Sequence, residues 1–319
     1  MSGARPVLKR MQRPEGPIVG GAIVFLVVVL TVTADRPSPA APEHGGSAVR
    51  AVSLVWADDF QGPAGALPNR RKWSFETGGR WGGELQSYTP RPANASLDGK
   101  GDLAITARSE RYTGADGVTR LYTSARLNTA GKFAFAYGRV EARIRIPTGV
   151  GLAPAFWALG SNLESVGWPA SGEIDVMEAD GSDPSVVLGT LHGPRSKRVD
   201  YYLRAERRTP APLSAAFHVY GISWSPGKVV FTVDGRRYGG FRRGAQPRGS
   251  RWTFDHPFFL VFTLAVGGAA SGRSPDATTP FPATMLVDWV HVWRGAATFC
   301  PTVRARSFRS ICPRAENHR

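Results

Sequence analysis

Three carboxylates fall within six residues in the segment Glu173-Ile-Asp-Val-Met-Glu178. Side chains alternate along a β-strand, so Glu173 and Asp175 share a face while Glu178, five positions beyond Glu173, points the other way. One extra residue reverses that parity, and a β-bulge at Val176-Met177 returns Glu178 to the face of the other two acids. Ile174, Val176 and Met177 are apolar, as residues facing a core must be. Three acids crowded on one face repel one another, which raises the pKa of at least one and keeps it protonated near neutral pH. A protonated carboxyl beside an ionised one is what glycoside hydrolysis requires, with the pair about 5–5.5 Å apart in retaining enzymes and about 6.5–9.5 Å in inverting ones. Neighbours on one strand face sit nearer the shorter separation, so retention of configuration is expected. Spacing alone leaves open a solvent-facing acidic strand and a Ca2+ site of three carboxylates. Trp157, Trp168 and His192 lie close to the acids in sequence. They supply the rings a sugar-binding groove uses, which favours catalysis.

The elements around this segment read as strands. Short runs rich in β-branched and aromatic residues recur between Gly, Pro, Asn and Asp, among them Leu103-Ala-Ile-Thr-Ala107, His218-Val-Tyr-Gly-Ile-Ser-Trp224, Val229-Val-Phe-Thr-Val233 and Met285-Leu-Val-Asp-Trp-Val-His-Val-Trp293. In Arg139 to Ile146 apolar and charged residues alternate strictly, which predicts one face on a core and the other in water. Val233-Asp-Gly-Arg236 carries the Asp-Gly of a tight hairpin turn. There is no long helical period and no internal repeat. A chain of 319 residues, 42% hydrophobic, can bury a full core. The expectation is an all-β domain over 51–295, built as two packed antiparallel sheets.

The termini read differently. Within residues 1–34 a positive stretch ends at Arg13, an apolar run extends from Ile18 to Ala34, and Val32-Thr33-Ala34 has the small residues of a cleavage site. This is the pattern of a signal peptide or, uncleaved, of an N-terminal membrane anchor with membrane contact through 18–34. Residues 35–50 are a Pro- and Ala-rich linker, and 296–319 form a basic tail with Cys300 and Cys312. Two close cysteines in an exported protein are expected to pair, a gain of about 3 kcal/mol for a loop of this size. The protein is thus expected to be secreted, or anchored on the outer side of the cytoplasmic membrane. The formal charge of +15 raises the question of a polyanionic partner. Arginines are spread along the chain and gather in both tails, however, with no basic helical stripe and no nucleic-acid motif, so no nucleic acid partner is expected. A monomer acting on a polysaccharide is the simplest organisation.

Beyond spacing, the chain resembles glycoside hydrolase family 16, most closely its bacterial endo-β-1,3-glucanase (laminarinase) branch. The resemblance runs through Trp81-Gly-Gly-Glu-Leu-Gln-Ser-Tyr-Thr89, Tyr122-Thr-Ser-Ala-Arg126, Tyr137-Gly-Arg-Val-Glu-Ala-Arg143, Pro154-Ala-Phe-Trp157, Gly167-Trp-Pro-Ala-Ser-Gly-Glu-Ile-Asp-Val-Met-Glu178, Thr190-Leu-His192 and Val287-Asp-Trp-Val-His-Val292. It implies a β-jelly-roll sandwich with a concave substrate cleft, Glu173 as nucleophile, Glu178 as acid/base and Asp175 as the helper of the nucleophile. Met177 matches the bulged form of the motif, found in laminarinases, agarases and carrageenases. Arg126, Trp157, Trp168 and His192 fall where the family binds sugar, and Asp59 and Asp288 resemble in position the ligands of a structural Ca2+ on the convex face; no cofactor is implied for the chemistry itself. The chain departs from the family at Ala153, where a Trp is usual, at Gly82-Gly83 and Thr263, where Asn is common, and at Ala269-Ala270-Ser271, where many members carry Asn-Trp-Pro. The implied activity is retaining, endo-acting hydrolysis of β-1,3-glucan or a related β-glucan. A galactan hydrolase of agar or carrageenan type and a non-catalytic glycan-binding protein are the alternatives, the latter opposed by the intact acids.

Overall fold

A computed structural model describes residues 52–79, 81–196 and 199–295. The expected export segment, linker and basic tail, including Cys300 and Cys312, lie outside the described residues, and no described helix is long and apolar enough to cross a membrane. Seventeen strands are present among the described residues: β1 (Ser53–Asp58), β2 (Ser74–Glu76), β3 (Gln86–Tyr88), β4 (Ala95–Leu97), β5 (Leu103–Thr113), β6 (Thr119–Ser124), β7 (Arg126–Asn128), β8 (Gly138–Arg145), β9 (Leu152–Gly160), β10 (Glu173–Glu178), β11 (Val186–Pro194), β12 (Asp200–Arg208), β13 (His218–Ser225), β14 (Lys228–Val233), β15 (Arg236–Arg242), β16 (Phe258–Val266) and β17 (Ala283–Arg294). The helices, α1 (Leu163–Val166) and α2 (Gly268–Ser271), are single turns. The all-β expectation therefore holds, and each run of residues quoted above for its strand pattern lies in a strand, save Ile146, one residue past the end of β8.

Two sheets form the sandwich. A ten-stranded sheet runs β15-β14-β13-β8-β17-β5-β6-β3, with β1 added beside β17 and β4 beside β5. A seven-stranded sheet runs β12-β11-β10-β9-β16-β7-β2. All pairings are antiparallel except β3 with β6. Apolar side chains of alternate parity meet between the sheets: Phe156, Ile174, Leu191, Leu260 and Phe262 from the seven-stranded sheet, Ile105, Val140, Ile144, Phe231, Val287 and Val290 from the other. Burying one such side chain contributes about 1.5–3 kcal/mol, and Phe156 and Phe262 add a stacked contact at 4.7 Å between centroids.

The turn and strand expectations met different outcomes. Asp234 and Gly235 both take positive φ, 50° and 70°, as a two-residue hairpin loop of the type favoured by Asp-Gly demands. In β8, by contrast, the charged face is not in water: Arg139 is 7% and Glu141 3% exposed, and only Arg145 is fully exposed. The reason is position. β8 is flanked by β13 and β17, Arg139 stacks on the Trp293 ring at 4.0 Å, and the Cα of Gly221 lies opposite Glu141 with no side chain to intervene. Alternation marks which residues share a face, but it does not say that the polar face is wet.

Candidate active site

β10 enters the seven-stranded sheet through Gly172, whose φ of +75° and whose closeness to Thr253, 2.7 Å from where a Cβ would lie, exclude other residues without a shift. The register then shows the bulge directly. Asp175 pairs with Thr190 and Glu178 with Leu188, so three steps on β10 face two on β11; the same slip occurs against β9, where Asp175 pairs with Trp157 and Glu178 with Ala155. Val176 and Met177 both turn into the core, 1% and 0% exposed, and Glu178 emerges on the face of Glu173 and Asp175. Bulges commonly re-aim a side chain in this way.

Paired residues of antiparallel strands point to the same side, so the outer face of the sheet can be read as three rows crossing the strands. The first runs Tyr202, His192, Glu173, Leu159, Phe259. The second runs Arg204, Thr190, Asp175, Trp157, Val261, Asn128, Ser74. The third runs Glu206, Leu188, Glu178, Ala155, Thr263, Arg126, Glu76. The three acids and the four residues expected to bind sugar therefore lie on one face or beside it, since the Trp168 loop brings its indole Nε1–H to Glu173 Oε2 at 2.7 Å.

Their surroundings differ. Thr190 Oγ1 donates to Glu178 Oε2 at 2.8 Å. His192 Nδ1 lies 2.9 Å from Asp200 Oδ2, and its Nε2 lies 3.5 Å from Asp175 Oδ2. Trp168 and Tyr202 are 46% and 60% exposed and stand on either side of His192, with ring centroids 6.2 and 6.0 Å from it. Arg126 and Trp157 are instead buried. Arg126 ion-pairs with Glu76 at 2.9 Å and lies 4.6 Å from the Trp157 ring, while Trp157 Nε1 donates to Thr263 Oγ1 at 3.1 Å. They form a braced floor, with Leu159, Phe259 and Val261 packed around Trp157.

Burial sets the electrostatics of the acids. Asp175 is 3% exposed; desolvation first, then the charges of Glu173 and Glu178, push its carboxyl well above the ordinary range. Burial also raises Glu173, but His192, the Asp175 hydroxyl and the Trp168 indole oppose that rise. Asp175 is therefore the carboxyl of this pair pushed further toward its protonated form, the form whose O–H donates to the Glu173 carboxylate. One carboxylate is held as an anion by two donors, with a second carboxyl, Glu178, half-buried on the same face.

The calcium expectation meets a different arrangement. Asp288 is buried and its carboxylate is engaged by the Arg143 guanidinium, while Asp59 Oδ1 lies 2.7 Å from His291 Nε2. Among the described residues, neither belongs to a group of three converging carboxylate, imidazole or thiolate side chains. Arg143 supplies positive charge beside Asp288 and His291 engages Asp59, so the described side chains alone do not form a calcium site. Sequence reasoning also passed over Thr190, Asp200, Glu76 and Tyr202. Their signal was period-two spacing: Thr190 with His192 on β11, and Asp200 with Tyr202 and Arg204 on β12, share faces.

Comparison with known proteins gives a consistent picture. The family Glycosyl hydrolases family 16 matches residues 86–291. A protein named beta-glucanase from Rhodothermus marinus is 41% identical over 252 residues, covering 76% of this chain and 85% of its own. A glucan endo-1,3-beta-glucosidase from Cryptopygus antarcticus is 39% identical over 239 residues, 70% of this chain and 83% of its own. Among solved structures, an endo-beta-1,3-glucanase from Pyrococcus furiosus superposes with a TM-score of 0.70 at 42% identity, covering 77% of this chain and 96% of that one.

Proposed function

This chain belongs to glycosyl hydrolases family 16, and on that premise we propose that it cuts β-1,3-glucan by double displacement, with Glu173 as nucleophile and Glu178 as acid/base. It is an endo-acting β-glucan hydrolase, in keeping with the β-glucanases and endo-1,3-β-glucanases among its relatives and structural neighbours. In the first step a Glu173 oxygen attacks the anomeric carbon while Glu178 gives its proton to the departing glycosidic oxygen, leaving a glycosyl ester on Glu173. In the second, Glu178 takes a proton from a water that attacks the same carbon, and Glu173 departs, so configuration is retained. Asp175 and Trp168, both donating to Glu173, fix its orientation and stabilise it as the leaving carboxylate of the second step. Thr190 orients Glu178.

The observation that carries this reading is the bulge, because an uninterrupted strand would send Glu178 into the core. Glu178→Gln should lower kcat by about 10²–10⁴, the range for loss of a positioned proton-transfer group, and Glu173→Gln, which removes the nucleophile, by at least as much. Azide separates the roles. With Glu173→Ala it should attack the vacated side and give the α-glycosyl azide; with Glu178→Ala it should replace water on the glycosyl ester and give the β-azide. Exchanged products would exchange the assignments, and wild-type turnover by Glu173→Gln would overturn them. The reading includes export through 1–34 and a Cys300–Cys312 pair, supported by the charge and apolar pattern of the N-terminus and by the cysteine spacing. Thiol titration of unreduced protein recovered from the medium should find none free, and finding two would refute the pairing.

A further inference from the structure

Asp175 Oδ2 is buried and has no hydrogen-bond partner. His192 Nε2 faces it at 3.5 Å, while the other nitrogen of that ring is engaged by Asp200. With Nδ1 engaged by Asp200, Nε2 is the ring nitrogen turned toward Asp175 Oδ2. A buried carboxyl oxygen without a hydrogen-bond partner calls for one. A carboxylate on the far nitrogen is also the outer partner that aims metal-ligating histidines.

One oxygen each from Glu173 and Asp175 and a ring nitrogen of His192 lie within 4.8 Å of one another. Tetrahedral zinc with bonds of about 2.0–2.2 Å separates its ligand atoms by roughly 3.4 Å, which the 3.5 Å between His192 and Asp175 already matches. We propose that Glu173, Asp175 and His192 form a site for a divalent cation of the zinc class, closed by three protein ligands, with the fourth position open to water in the cleft. Binding displaces the proton of Asp175, so that two carboxylates balance the charge, and the imidazole favours zinc or cobalt over calcium or magnesium, which require six or more oxygens. Occupancy ties up the Glu173 lone pair and stops turnover reversibly; that half of the inference rests on Glu173 being the nucleophile, whereas the binding half does not.

Zn2+ titrated calorimetrically into the full-length protein, freed of metal, should fill one such site per chain, and Co2+ should give a visible absorption band that Zn2+ displaces. Ca2+ should do neither. Glu173→Gln and His192→Gln should weaken Zn2+ by at least about tenfold, and Asp200→Asn, which leaves all three ligands in place, by about 10–100-fold, with melting curves checking each fold. Affinity unchanged in all three variants would place the ion elsewhere, for instance at the His218–Asp234 or His291–Asp59 pairs, and overturn the proposal. Binding that depends on these residues yet leaves hydrolysis undiminished would keep the site and overturn the nucleophile assignment instead.

Discussion

Asp175 is the residue that lets three acids share one strand face, because burial and its neighbours favour its protonated form. Its carboxyl is raised by burial and by Glu173 and Glu178, so the sign of its contribution to stability is fixed. A group whose pKa is higher in the folded state stabilises the fold fully at pH below its unfolded value, and that stability is lost as pH rises through the folded value. Wild-type protein should therefore lose thermal stability from mildly acid to alkaline pH more steeply than Asp175→Asn, which cannot ionise. Thermal melts of the two proteins across that range check this, and parallel pH dependences would show that Asp175 is not the group responsible. The amide can still donate to Glu173, so turnover by Asp175→Asn should remain within about tenfold of wild type. Asp175→Ala, which removes the donor, should cost about 1–3 kcal/mol of stability and lower kcat further.

At the scale of elements the decisive feature is one surplus residue in β10. Met177 is fully buried, and truncating it to Ala should cost about 2–5 kcal/mol. Deleting it has a different consequence. Glu-Ile-Asp-Val-Glu alternates without a bulge, so all three acids stay on the outer face, and the deletion variant should fold with lowered stability and keep measurable hydrolysis. Inserting one Ala after Met177 sets Glu178 six positions beyond Glu173, so with the bulge kept Glu178 enters the core, where an unpaired carboxylate is too costly to bury, and with the bulge lost Met177 turns outward; either outcome should lower stability. A folded deletion variant without any hydrolysis would show that strand parity does not set the direction of Glu178. This parity was legible in the sequence because acids and apolar residues separate cleanly in Glu173 to Glu178. What was not legible depends on strand neighbours far along the chain. Arg139 and Glu141 look solvent-facing until β13 and β17 close around β8. Trp157 and Arg126, expected from the resemblance to bind sugar, form a braced floor only once Thr263 and Glu76 are paired across strands. Thr190 and Asp200 were hidden for the same reason, since their partners lie 12 and 8 residues away and meet only through the β10–β11–β12 register.

Across the whole molecule, the three rows make a working face that belongs to the sheet rather than to any one loop. Seven strands at a spacing of about 4.8 Å give a face roughly 29 Å wide, with the acids on the third strand from one edge. A face that extends to both sides of the cutting point admits the middle of a polymer, so the specific viscosity of a β-glucan should collapse well before reducing ends accumulate. Release of a single small product from chain ends, with viscosity preserved, would contradict endo action. Tyr202 tests the reach of the shorter side: its ring is exposed on edge strand β12, beyond His192 and away from the reacting centre. A sugar stacked there is bound alike in ground and transition states, and such contacts change KM rather than kcat. Tyr202→Ala should therefore raise KM for polymer by about 5–10-fold, on the order of 1 kcal/mol for an aromatic contact, while leaving kcat and the cleavage of short oligomers that do not reach β12 nearly unchanged. If kcat falls instead, Tyr202 acts on the chemistry through His192, and the shorter side of the cleft ends at Trp168.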